Sequence, residues 1–142
     1  MNAYYPVVRR PKATFYHGGV AGLAIGGFIL PGGQVRPDHA GWYCFSEDHF
    51  CFVTTDIVQG WHNALLCESV MGAGAVYRVD PVGRLRLDLC ETGENFACKR
   101  ARILACENIP QWVRSAYKAD ENAFCAEAWA AAEPPSRSAS PP

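Results

Sequence analysis

Strand-like runs crowd the second half of the chain without helices between them, and this limits the possible folds more than any other feature of the sequence. Residues 75–79 (AVYRV), 84–89 (RLRLDL) and 97–106 (ACKRARILAC) are rich in β-branched or alternating apolar residues. Parallel neighbours need a long crossover, usually a helix, and no such segment separates these runs. The order predicts an α+β domain with mixed or antiparallel sheets and flanking helices, and it argues against a doubly wound fold.

A strand that leads directly into a helix is predicted in the middle of the chain. Residues 50–54 (FCFVT) are aromatic and β-branched, which favours a strand. Asp56, with Gln59 three residues later, has the pattern of a helix N-cap. Apolar residues then recur at helical spacing, which predicts a helix over residues 57–70 that Gly72 and Gly74 end.

Glycine, proline and helix-forming residues predict the other segments. Ala13–His17 is expected to be a strand that stops at Gly18-Gly19. Residues 20–30 are expected to form a short helix followed by a turn and an extended piece. Asp80–Gly83 (DPVG) is typical of a turn, and residues 109–132 are rich in helix formers.

Length and composition are those of one globular domain. The chain has 142 residues, of which 49% are hydrophobic and 19% charged. We expect a single domain over residues 1–132, with its core at 13–106, a C-terminal helical segment at 109–132 and a flexible Pro/Ser-rich tail at 133–142. The net charge of −1 disfavours duplex DNA as a partner. The absence of a signal peptide or long apolar run predicts a cytoplasmic protein without membrane contact.

Several common chemical motifs are missing from the sequence. It contains neither of the usual glycine-rich phosphate loops, and no H-E-x-x-H or G-x-S-x-G pattern. Its seven cysteines include no closely spaced pair, which favours buried free thiols over a zinc site or a disulfide framework.

Three features could carry chemistry. His17 ends a predicted strand directly before two glycines, so its ring could project into a cleft. Residues 52–56 form a strand-to-helix junction with an aromatic residue and backbone N–H groups at a helix start. Asp88 shares the polar face of an alternating strand with two arginines. Taken alone, each also has a structural explanation: a core-edge histidine, an ordinary helix cap and a solvated acid.

Read together and in order, these features resemble the rifamycin ADP-ribosyltransferases, small members of the diphtheria-toxin-like (histidine–tyrosine–acid) ADP-ribosyltransferase superfamily. The resemblance covers about residues 13–106. It lies in Phe15-Tyr16-His17-Gly18, Leu23–Gly26 (LAIG), Phe52–Ala64, Ala75–Gly83 (AVYRVDPVG) with an acid soon after, and Phe96–Leu104. It implies an ADP-ribosyltransferase-like fold with a central NAD cleft, NAD as co-substrate and no metal.

The resemblance also implies roles for individual residues. His17 matches the histidine that hydrogen-bonds a ribose of NAD, and Gly18 matches the backbone that holds the nicotinamide amide. Phe52 falls where the family usually has a tyrosine that stacks on the nicotinamide ring. Asp88 matches the family acid, with Asp80 and Glu91 as alternatives. The candidate catalytic residues are therefore His17, Phe52 and Asp88, and the candidate NAD contacts are Tyr16, His17, Gly18, Gly19, Phe52 and Thr54.

Two departures from the family pattern bear on activity. Phe52 keeps an aromatic face for stacking but lacks the hydroxyl of tyrosine, a loss for which Tyr43 could compensate. Gly19 stands where the family usually has Thr or Ser. The diphosphate of NAD also needs positive charge, and the candidates are Arg78, Arg84, Arg86, Lys99, Arg100 and Arg102.

These residue types suit cleavage of the bond between nicotinamide and ribose. That step builds positive charge on the sugar, which a carboxylate stabilises, and nicotinamide leaves as a neutral ring that needs no proton. The acceptor is expected to be a small molecule, with a rifamycin hydroxyl as the family precedent and antibiotic resistance as the outcome. The alternatives are a protein or nucleic-acid acceptor, as for a toxin or phage effector, and a non-catalytic NAD- or ADP-ribose-binding module.

Overall fold

The chain has an α+β fold that consists of an antiparallel sheet and helices. The computed structural model describes residues 5–31, 49–89 and 94–119. In those residues, eight strands and two helices are present. The strands are β1 (Val7–Val8), β2 (Phe15–Val20), β3 (Phe28–Ile29), β4 (Cys51–Thr54), β5 (Gly74–Val82), β6 (Leu85–Leu87), β7 (Asn95–Cys98) and β8 (Arg100–Glu107). The helices are α1 (Ile57–Met71) and α2 (Gln111–Ala119).

The strands join in the order β1-β6-β7-β4-β2-β5-β8-β3, and every pair is antiparallel. The prediction of an α+β fold with a mixed or antiparallel sheet is therefore confirmed at that level. The chain separates into two compact units, Met1–Asn108 and Ile109–Pro142. The first unit contains the whole sheet and α1.

Helix α1 matches its predicted position. Asp56 adopts an extended backbone and its carboxylate accepts a hydrogen bond from the Val58 N–H at 2.9 Å, which caps the helix. Gly72 ends the helix in a left-handed conformation with φ of 93°. Gln59 does not close a capping box in this structure; its amide donates to Asn63 at 3.2 Å.

Helix α1 lies against β2 and β5 at very short range because glycines line the contact. A Cβ atom at Gly18 would lie 2.0 Å from the Gly60 carbonyl oxygen, and one at Gly74 would lie 1.9 Å from the Ala64 carbonyl oxygen. Backbone therefore packs on backbone at both points. The opposite face of the sheet carries the main apolar core, whose buried members are Phe15, Ile29, Cys51, Val53, Tyr77, Val79, Leu85, Phe96, Cys98, Ala101 and Ile103.

Four predictions about the bounds of strands, helices and turns were wrong. In each case, strand pairing outweighs the preference of the short stretch of sequence from which the prediction was made. Strand β2 does not stop at His17 but continues through both glycines, which pair with β5. Residues 20–24 do not form a helix; a turn at Ile25-Gly26 leads into β3. Strand β5 runs through Asp80 and Pro81, so the turn falls only at Gly83, where φ is 79°. Residues 97–106 form parts of two strands and not one, because β7 pairs with β4 and β6 whereas β8 pairs with β5 and β3.

The second unit contains α2, which accounts for part of the helical segment predicted at residues 109–132. Val113 and Tyr117, four residues apart on one face of this helix, are buried. The tail predicted at 133–142 lies outside the described residues. Neither helix in the described part of the chain is long and apolar enough to cross a membrane.

Candidate functional site

The pairing of strands in the sheet is sparse between β2 and β4. Strand β2 pairs with β5 over all six of its residues, and β4 pairs with β7 over all four. Between β2 and β4, by contrast, a single residue pair joins the strands, Tyr16 with Thr54. Two regular halves of the sheet therefore meet at one point, and the strands are not paired beyond it. We call this place the junction: Tyr16, His17, Phe52 and Thr54.

The imidazole of His17 bridges the junction. Its Nδ1 lies 2.7 Å from the carbonyl oxygen of Phe52. A carbonyl can only accept, so Nδ1 carries the proton and Nε2 is left as an acceptor in the neutral ring. Burial lowers the pKa of His17, and the hydrogen bond to Phe52 opposes this only in part. The ring is therefore neutral at physiological pH, and its Nδ1 is hydrogen-bonded to the backbone of β4.

Glycine at position 19 makes room for this ring. A Cβ atom on Gly19 would lie 2.7 Å from Nε2 of His17, closer than such atoms approach in folded proteins. Any side chain at position 19 would force the imidazole to move. Glycine therefore stands here, where the rifamycin ADP-ribosyltransferases usually have Thr or Ser, because the His17 ring occupies the space that a side chain would need.

Gly18 has a structural reason to be glycine that the sequence did not reveal. Its missing side chain is what allows α1 to approach β2, as described above. The expected role of Gly18 in exposing backbone to a ligand is therefore not needed to explain the residue.

Phe52 is half-buried on β4, directly opposite Ala97 of β7. Its ring lies 6.2 Å from that of Tyr5, centroid to centroid, and beside a small cluster that includes Phe50. The His17 and Phe52 residues are thus joined through the Phe52 carbonyl and not ring against ring. A ligand that touches both would have to enter where β2 and β4 separate.

Three buried polar residues extend from the junction across the sheet. Thr54 pairs with Asn95 of β7, and the Asp88 N–H donates to the Asn95 carbonyl at 2.9 Å. Because cross-strand partners point to the same face, Tyr16, Thr54 and Asn95 form one row, and the Asp88 backbone adjoins it at Asn95; we call these four residues the polar row. Thr54, Asn95 and Asp88 are the buried polar residues among those the structure describes.

Asp88 does not sit where the alternation of its strand predicts. The pattern indicated a solvated acid opposite a buried Leu89, but Asp88 is only 5% exposed and Leu89 is 54% exposed. Strand β6 ends at Leu87, so the alternation does not continue to these two residues. A carboxylate is costly to bury unless its neighbours stabilise it.

Other members of the junction are held by structural contacts. The Thr54 hydroxyl donates to the Glu94 carbonyl at 3.1 Å and accepts from the Asp56 N–H at 3.0 Å. Asp56 in turn occupies the Val58 N–H at the start of α1, one of the groups expected to face a ligand. Burial, and then the nearby Glu107 carboxylate, raise the pKa of Tyr16.

The candidate cations differ in what they contact. Arg78 is exposed and lies directly across from Tyr16, at the end of the polar row. Arg100 and Arg102 both lie over the Phe28 ring, 4.6 and 4.8 Å from its centroid. Arg86 donates to the Tyr5 carbonyl. Arg84 and Lys99 are exposed.

The structure thus brings some predicted residues together and leaves others apart. His17 contacts the backbone of Phe52, but its imidazole and the Phe52 ring lie on opposite faces of the sheet, because Phe52 shares the face of Thr54 and Tyr16 whereas His17, next to Tyr16, alternates to the other face. Asp88 lies three strand spacings from Tyr16 along the polar row, roughly 14 Å at about 4.8 Å per strand. Asp80, one alternative acid, forms an ion pair with Arg10 away from the junction. Tyr43 and Glu91 lie outside the described residues.

Two residues of this region were missed by sequence analysis. Tyr77 is buried opposite His17, and its hydroxyl donates to the Val20 carbonyl at 2.7 Å and accepts from the Leu23 N–H at 3.1 Å. It therefore fixes the chain just after Gly19. Asn95 links Thr54 to Asp88 in the polar row. Only the pairing of distant strands identifies either residue.

No group of His, Cys, Asp and Glu suited to a metal ion occurs within residues 5–31, 49–89 and 94–119. No protein-family model matches this chain, and no curated protein is significantly similar to it.

Proposed function

We propose that this chain is a cytoplasmic NAD-dependent mono-ADP-ribosyltransferase with an ADP-ribosyltransferase-like fold, which transfers ADP-ribose from NAD to an acceptor and releases nicotinamide. The observation that carries the proposal is the His17 bridge. Its Nδ1 donates to Phe52, which leaves Nε2 as an acceptor beside the point where β2 and β4 separate. That is the hydrogen-bonding capacity needed to bind a ribose hydroxyl.

The supporting argument comes from the order and spacing of residues that resemble the rifamycin ADP-ribosyltransferases. In that proposal, His17 binds a ribose and Phe52 offers an aromatic face to nicotinamide. The exposed Arg78, the cross-strand neighbour of Tyr16, is our candidate for the diphosphate. The arginines near Phe28 and Tyr5 already contact protein groups, and Arg84 and Lys99 lie in the turns before β6 and β8.

Asp88 has the chemistry for the transfer step. As nicotinamide leaves, the ribose carbon develops positive charge, and a carboxylate in a buried setting stabilises that charge more strongly than one in water. The acceptor oxygen then bonds to the same carbon and loses its proton. NAD supplies the ADP-ribose and the neutral leaving group; the chain's own residues bind, orient and stabilise.

The test is incubation of the purified full chain with NAD alone, with rifampicin and with cell lysate. Nicotinamide release and transfer of labelled ADP-ribose are measured in each case. We expect His17→Ala to weaken NAD binding about tenfold, since it removes the hydrogen bond to the ribose. We expect Asp88→Asn to reduce turnover by about 10²–10³ while NAD still binds.

Matched controls lie outside the junction. His49 is exposed, and His49→Ala should leave NAD binding unchanged. Asp80→Asn removes an acid of the same type that is already paired with Arg10 and should leave turnover unchanged. If Asp80→Asn abolishes turnover and Asp88→Asn does not, the acid has been assigned wrongly.

A non-catalytic NAD- or ADP-ribose-binding module is the second candidate, and Phe52 favours it because the stacking position lacks a hydroxyl. Binding of NAD without nicotinamide release, with every acceptor tried, would support the module. Transfer to a lysate protein or nucleic acid, but not to rifampicin, would keep the enzyme and change the acceptor. Absence of NAD binding would exclude both candidates.

A further inference from the structure

A pair of cysteines lies next to Phe52 of the junction, on β4 and β7, and takes no part in the proposed function. Cys51 of β4 and Cys98 of β7 are cross-strand partners, so their side chains point to the same face of the sheet. Their sulfur atoms are 3.5 Å apart. Both residues belong to the main core and are almost fully buried, at 3% and 1% exposure.

This geometry is close to that of a disulfide. Directly opposed residues of antiparallel strands have Cα atoms about 4.5–5.5 Å apart, which falls within the range that disulfides span. The sulfur atoms need to approach by roughly 1.5 Å, which side-chain rotation can supply without separating the strands. Two thiols so placed require no rearrangement of the fold to become bonded.

We propose that Cys51 and Cys98 form a reversible disulfide on reaction with a peroxide, and that this bond fixes β4 to β7 beside Phe52. The strand segment that would be fixed includes the carbonyl that accepts the His17 hydrogen bond. The modification site is thus one residue away from the bridge across the junction.

The pair reacts in two steps. The hydrogen bond between the two sulfurs lowers the pKa of Cys98, while the same contact and burial raise the pKa of Cys51. The Cys98 thiolate attacks one peroxide oxygen, the O–O bond breaks, and hydroxide leaves and is protonated to water. Cys51 then loses its proton and attacks the Cys98 sulfenic sulfur, whose hydroxyl leaves as the second water. Two thiols and one hydrogen peroxide give one disulfide and two water molecules.

The experiment uses the reduced full chain and a stoichiometric amount of hydrogen peroxide. Remaining thiols are blocked with a maleimide under denaturing conditions, and the digest is mapped by mass spectrometry. We expect one major cross-linked peptide that joins Cys51 to Cys98, lacks two hydrogen atoms and disappears with dithiothreitol. Maleimide label or over-oxidation on both residues, or cross-links that mainly use Cys106, would overturn the proposal.

Two further measurements separate this pairing from general oxidation. Cys67 is half-buried and Cys106 exposed, so Cys67→Ser and Cys106→Ser should keep the cross-link. The oxidised chain should unfold at a higher urea concentration than the reduced chain, because the bond restricts the unfolded state. A lower midpoint would mean that the native strands do not accommodate the bond. None of these outcomes depends on NAD binding.

Discussion

A single methyl group at Gly18 tests the closest contact in the fold. In Gly18→Ala the new Cβ atom would lie 2.0 Å from the Gly60 carbonyl oxygen and 2.8 Å from the Ala64 nitrogen. Both neighbours are backbone atoms of α1, so no side chain can rotate away. The limit that real Cβ contacts respect is 3.0 Å, so α1 must retreat by about 1 Å.

The cost follows from what α1 buries. Its inner face carries Val58, Trp61, Ala64 and Leu65. A gap of 0.5–1 Å forfeits roughly a quarter to a half of each van der Waals contact across the interface. Overpacking of this kind usually costs 1–3 kcal/mol. We expect a loss near the top of that range, about 3 kcal/mol, which corresponds to a fall in Tm of about 12 °C for a domain of this size.

Urea and thermal unfolding, followed by far-UV circular dichroism, measure this loss. Gly60→Ala is the matched control, because it adds the same methyl group to the facing helix. There the new Cβ would lie 3.4 Å from the nearest Val76 carbon and 3.5 Å from the Tyr16 Cβ, which is ordinary contact. Because Ala is also the better helix former by about 1 kcal/mol, Gly60→Ala should be neutral or stabilising.

Equal stability of Gly18→Ala and the unmodified chain, within about 0.5 kcal/mol, would refute this packing of α1 on β2. Retained stability together with a loss of NAD binding would mean that Gly18 is glycine for the ligand and not for the helix. Both measurements on the same variant therefore distinguish the two explanations for this residue.

Three further predictions concern the helix cap and the histidine. Asp56→Ala should cost about 1 kcal/mol in urea unfolding, because it removes the acceptor for the Val58 N–H, whereas Asp56→Asn keeps an acceptor and should cost much less. Burial lowers the pKa of His17, so the unfolded chain binds a proton at this residue more tightly than the folded chain does. The stability that neutral His17 contributes should therefore be complete above the ordinary histidine pKa of about 6.5 and should be lost as the pH falls towards the pKa of the folded chain. Urea unfolding between pH 7.5 and 5 would test this against His17→Gln, and an unchanged slope in that variant would contradict it. Gly19→Ser should displace the imidazole from Phe52 and remove the hydrogen bond that opposes the effect of burial, so the His17 pKa should fall further below its ordinary value, which a histidine NMR titration would detect.

Local sequence signals predicted the elements that depend on local physics. Helix α1 and its caps follow from Asp56, the helical spacing of apolar residues and Gly72. Strand β4 and the body of β5 follow from β-branched and aromatic runs. The antiparallel arrangement follows from the lack of crossovers between the late strands. In the candidate site, the contact between the His17 and Phe52 segments was expected from a resemblance, and the structure joins them by one hydrogen bond.

The sequence by itself determined the class of fold, the position of α1 and the residue types available for chemistry. The tertiary structure alone decided that β2 passes through two glycines, that Asp88 is buried, and that Cys51 faces Cys98. Caps, turns and helical periodicity act within a few residues and can be read from the chain. Strand partners are chosen by contacts between residues far apart in sequence, and those contacts overrule local preference wherever the two disagree.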